Sequence, residues 1–145
     1  MYINYNGHLS ADTCHTATYQ VPENNAFWSI TVYGTDGYMK SVNNILNAAN
    51  TKMNADGTFT VHFGSKEACG DVPNRLDAPE GWNFLMRVYR PGQSVLNGSY
   101  KLRMPSPANN LAGEERDLKF VVVIAAPLND FSFAMSPMGT PWMRE

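Results

Sequence analysis

The stretch "AFWSITVY", residues 26–33, decides the fold class. Ala26, Trp28, Ile30 and Val32 share one parity, and Phe27, Ser29, Thr31 and Tyr33 share the other. Successive side chains of an extended strand point to opposite faces, so this stretch predicts a strand with one apolar face and one polar, aromatic face. Two further stretches repeat the pattern. In 58–63, Phe59, Val61 and Phe63 oppose Thr58, Thr60 and His62. In 83–90, Phe84, Met86 and Val88 oppose Asn83, Leu85, Arg87 and Tyr89. Working outward, residues 17–21, 98–103 and 119–125 are shorter strand candidates, rich in β-branched and aromatic residues. Turn signals separate them: "YNGH" at 5, "GTDG" at 34, "NADG" at 54, "APEG" at 78, "RPGQ" at 90 and "LNGS" at 96. Asn97-Gly98 reads as a hairpin turn. Only 41–53, "SVNNILNAANTKM", has room for a helical turn, and asparagines in its middle oppose a long helix. Many short strands and few helices predict an all-β fold, an antiparallel sandwich or barrel.

A chain of 145 residues, 43% hydrophobic, is the size of one domain with its own core. Eleven basic and thirteen acidic residues give a net charge of -2, so no excess positive field holds a polyanion, and nucleic acid is not an expected partner. The longest apolar run, "FVVVIAA" at 120–126, is far short of the roughly 18 residues of a membrane span. The opening "MYINYNGHLS" lacks the basic and apolar segments of an export signal. Cys14 and Cys69 are the only cysteines, and one disulfide or two buried thiols both fit the sequence.

The blocks "NNAFWSITVYGTDGYM" (24–39), "NADGTFTVHF" (54–63) and "LDAPEGWNFLMRVYRPGQSVLNGSY" (76–100) resemble, in order, the DUF1214 family. Members form the C-terminal half of two-domain DUF1254/DUF1214 envelope-type bacterial proteins. The likeness covers about 17–105 and implies a β-sandwich of jelly-roll type, an envelope or secreted location, and no established catalytic residue. Where members more often carry a tryptophan and a proline, this chain has Arg75 and Asp77. The domain is expected over 1–106. Residues 107–145 form a tail that resembles nothing in the family and is expected to add a strand to the same domain.

Candidate chemistry gathers in two places. The polar strand faces place Tyr33, His62, Arg87 and Tyr89 as a possible ligand-binding set, weighed against an ordinary solvated sheet surface. An arginine inside an apolar strand is costly unless paired, so Arg87 is either a structural hub or the anchor of an anion. The turn-rich stretch 67–82, "EACGDVPNRLDAPEGW", adds Arg75 and Trp82 as ligand candidates. Asp71 and Asp77, with His62, are the catalytic candidates, because glycoside hydrolysis needs two carboxyl groups flanking the bond. The plainer reading is that these acids form turns and that Arg75 makes a loop-fixing ion pair. Trp82 is as readily a core residue as a stacking platform for a sugar. His8, His15 and His62 have no metal-ligand spacing, and no phosphate-cradling glycine loop occurs, so neither metal nor cofactor is expected. The resulting expectation is a binding or assembly module without catalysis, able to oligomerise through the apolar tail strand. The alternatives are a hydrolase or lyase acting on a carbohydrate or other small polar ligand, and a virion or envelope structural protein.

Overall fold

A computed structural model describes residues 1–108. Its elements are β1 (Tyr2–Leu9), β2 (His15–Gln20), β3 (Asn24–Tyr33), β4 (Ile45–Asn47), β5 (Thr58–Phe63), α1 (Lys66–Cys69), β6 (Arg75–Leu76), β7 (Trp82–Pro91), α2 (Gln93–Leu96) and β8 (Ser106–Pro107). The strands form two four-stranded sheets, ordered β1-β7-β3-β4 and β6-β5-β2-β8. All pairings are antiparallel except β5 with β6, which is parallel.

The alternating strands bury their apolar parity between the sheets, which makes the fold an all-β sandwich. Phe59, Val61 and Phe63 of β5 and Phe84, Met86 and Val88 of β7 are all fully buried. Rings bridge the layers. Phe63 of the second sheet stacks on Trp82 of the first with centroids 4.7 Å apart, and Trp28 stacks on Phe59 at 4.6 Å. Each such ring removes on the order of 150–250 Å² from water, so this aromatic seam carries much of the core's hydrophobic stabilisation. His15 is buried at its edge, 5.9 Å from the Trp82 ring, with Nδ1 donating to the carbonyl of Thr13 at 2.9 Å. Burial pushes the His15 imidazole below its usual pKa, against a smaller opposing effect of that hydrogen bond.

Several expectations are corrected. Ala26 shares the parity of Trp28 but is exposed, because the β3–β7 register shifts between Asn24 and Phe27 and the alternation slips there. Residues 41–53 hold β4, which the sequence does not predict, followed by a single turn in which the Asn47 carbonyl accepts from the amides of Asn50 and Thr51 at 3.2 and 3.1 Å. Residues 98–103 are not a strand. Asn97 caps α2, and Gly98 takes a left-handed φ of 76° there rather than in a hairpin. The strand candidate 119–125 lies outside the described residues.

Stretch 67–82 is a structured connection. Ser65 caps α1 by accepting from the Ala68 amide at 3.1 Å. Cys69 and Cys14 form a disulfide across a sequence separation of 55. Gly64 lies beneath it, where an added Cβ would sit 2.8 Å from the Cys69 sulfur. Asn74, in the left-handed region at φ 54°, donates to the carbonyls of Lys52 and Thr60 and pins the loop.

Candidate functional site

The sandwich has two outer faces, and the sequence-predicted site residues divide between them. On the first sheet, β7 runs between β1 and β3, so its outward residues have neighbours on both sides. Arg87 lies opposite Tyr2 on β1 and Ser29 on β3. Its guanidinium donates to the Thr31 hydroxyl at 2.9 Å and to the Tyr33 hydroxyl. It also lies 5.9 Å from the Tyr2 ring centre and 5.8 Å from that of Tyr33, within cation–π range of both. Hydroxyls and ring faces solvate the cation, and among the described residues no carboxylate pairs with it. Two residues on, Tyr89 faces Phe27 across the strands, with ring centres 5.9 Å apart. Both rings stay open to solvent, 48% and 39% exposed.

This face brings Tyr33, Arg87 and Tyr89 together as expected and excludes His62. That side chain projects from β5 in the other sheet, where Nδ1 donates to the carbonyl of Pro73 at 3.0 Å. Parity predicted that His62 points away from the core, but not from which sheet. Trp82 is excluded as a stacking platform, because it is fully buried in the core, where it stacks on Phe63.

Arg75 and Asp77 form the loop-fixing ion pair, and Arg75 also donates to the carbonyl of Gly64 at 3.1 Å. Burial raises the Asp77 pKa, but hydrogen bonds from Ser41 and Arg75 outweigh it and hold the carboxyl below its ordinary value. A carboxylate so engaged is a poor general acid. Asp71 is exposed and lines, with Asn43, Asn50, Asn74 and Arg75, a polar cleft of about 360 Å³. The amides of those asparagines are spent on the backbone carbonyls of Arg75, Ile45, Lys52 and Thr60. The cleft therefore reads as loop architecture.

Tyr2, Phe27 and Arg90 belong to the outer face of the first sheet but were not singled out from the sequence. Tyr2 depends on β1, whose alternation in "YINY" is broken by Asn6 and Gly7. Arg90 sits in a stretch that reads as a turn. Among the described residues, no three histidine, cysteine or acidic side chains converge, and no helix is long and apolar enough to cross a membrane.

The model of the family described as protein of unknown function (DUF1214) matches residues 6–93. No curated protein matches the chain. Among solved structures, the VPA0106 protein from Vibrio parahaemolyticus is similar at a TM-score of 0.65 and 20% identity, over 74% of this chain. The chain spans 30% of that protein's length, and the likeness is one of fold. With more than half of its residues matched by the family model, the chain belongs to the DUF1214 family.

Proposed function

We propose that this domain is a non-catalytic binding module that takes a small polar ligand on the outer face of its first sheet. The observation that carries the reading is Arg87, a cation oriented by Thr31, Tyr33 and Tyr2 without a neutralising acid, beside two open aromatic rings. An arginine fixed by neutral partners keeps its charge available and its geometry set, which is what a recognition site needs. The non-catalytic part of the reading is supported by the engagement of Asp77 in an ion pair and by the placement of His62 on the opposite sheet. The tail expected over 107–145 lies, from residue 109 on, outside the described residues.

The test is chemical-shift mapping on labelled protein with neutral and acidic oligosaccharides. Backbone amides of 27–31 and 85–90 are expected to move together. If no ligand shifts them, the face is an ordinary sheet surface.

An assembly role draws on a different observation. In the loop between β3 and β4, Tyr38, Met39 and Val42 are 72%, 59% and 103% exposed. Apolar groups so displayed favour contact with another protein surface. Sedimentation of wild type against a variant with all three changed to serine tests it, a shared monomeric mass excluding self-association through this loop.

A further inference from the structure

The geometry points to an acidic saccharide as the ligand of this face, its carboxylate held between Arg87 and Arg90 and a ring lying on the Phe27–Tyr89 pair. The inference rests on the binding-module reading and adds the ligand's charge and shape.

A hollow of about 120 Å³ opens beside Arg87, lined among others by Tyr2, Tyr89, Arg90 and Pro91. Pockets that enclose a drug-sized molecule run to roughly 300–1,000 Å³, so this one takes a group rather than a whole ligand. Both charged side chains lining it are arginines, and no carboxylate does. Of the five N–H donors of a guanidinium, Arg87 uses two on Thr31 and Tyr33, leaving three for a ligand. A planar fork of free donors suits a carboxylate.

Arg90 supplies the second observation. Three residues apart on a regular strand, Arg87 and Arg90 would point to opposite faces. Arg90 instead adopts φ 48°, a left-handed conformation unfavourable for arginine, and lines the same hollow. The left-handed backbone breaks the alternation there, and both arginines line the hollow. Strain of this kind persists where the surrounding structure enforces it, and it clusters at functional sites.

The shape of the ligand follows from the rings. Tyr89 stands two residues from Arg87 on the same face, about 6.7 Å along the strand, near the length of one sugar unit. A saccharide laid on the Phe27–Tyr89 pair therefore presents the carboxylate of its next unit to the hollow. Aromatic faces of this kind stack against the apolar face of a sugar ring, while a bare inorganic anion gains nothing from them.

Calorimetric titration with trimers of galacturonate, glucuronate and mannuronate, with their methyl esters and with inorganic phosphate, decides the matter. At least one acid trimer is expected to bind roughly tenfold or more tightly than its ester, and to weaken with added salt. Arg87→Met and Arg90→Gly should each weaken it by a similar factor, the glycine keeping the left-handed backbone and an unchanged Tm. If an acid and its ester bind alike, the charge inference falls while the binding face stands. Phosphate binding as tightly as the best trimer removes the saccharide. If no acid trimer or ester binds, the inference and the binding-face reading fall together.

Discussion

Replacing Cys14 and Cys69 together by alanine removes the covalent tie between the start of β2 and α1. The bond closes a loop of 55 residues. Restricting an unfolded chain by a loop of that length lowers its entropy by about 14 cal/mol/K, or about 4 kcal/mol at 25 °C. A 145-residue chain unfolds with an entropy near 0.3 kcal/mol/K, so the double variant should melt about 14 °C lower than wild type. Circular dichroism melts with and without reductant give the shift, and alkylation in denaturant confirms the bond's state. Wild type under reductant should fall to the level of the variant. The unfolded variant is also freer to expand, so its urea m-value should rise. If the bond is confirmed but its loss lowers Tm by less than about 3 °C, the unfolded chain is not restrained as reasoned, and stability rests on the aromatic seam alone.

Other perturbations test the fold locally. Gly64→Ala places a methyl against the Cys69 sulfur at a φ of 157° and should cost about 2 kcal/mol, with a smaller cost in the cysteine-free background because the clash is gone; equal costs in both backgrounds would rule out the sulfur contact. Trp82→Ala opens a cavity beside Phe63 and should lower urea-unfolding stability by about 3–5 kcal/mol. His15 gives a pH dependence. Its folded pKa is depressed, so its contribution is complete above about pH 6.5 and is lost as pH falls through the folded value, at up to about 1.4 kcal/mol per unit. Urea midpoints measured across that window should slope downward for wild type, and His15→Leu should remove the slope.

The strands with strong alternation were legible because burial of one face dictates a period of two, as β5 and β7 show; β3 was legible from its apolar parity although Ser29 and Thr31 on the other parity are buried too. β1 and β4 were not. "YINYNGHL" contains asparagine and glycine, which strands disfavour, and forms because β7 offers it a ladder of backbone partners. Asn97-Gly98 gave a true local signal with the wrong partner structure, since a left-handed glycine ends a helix as readily as it turns a hairpin. The candidate site was half legible for a related reason. Parity placed Arg87, Tyr33 and Tyr89 outward, but membership of a sheet is decided by long-range pairing, and so His62 was grouped with residues from which the whole sandwich separates it. Arg90 required a departure from alternation that no periodicity reveals.

The pairing of β1 with β7 also bears on the order in which the protein takes shape. Tyr2 faces Arg87, 85 positions later, so β1 leaves the ribosome well before the strand it pairs with. β2 and β5 are joined by a shorter path, and both cysteines have emerged before β7 begins. Three strands of the second sheet, β2, β5 and β6, therefore precede β7 in the chain, while β8 follows it. The strand bearing Arg87 is also the one whose arrival completes the first sheet, so a truncated or stalled chain has neither a closed first sheet nor the cation of the proposed site.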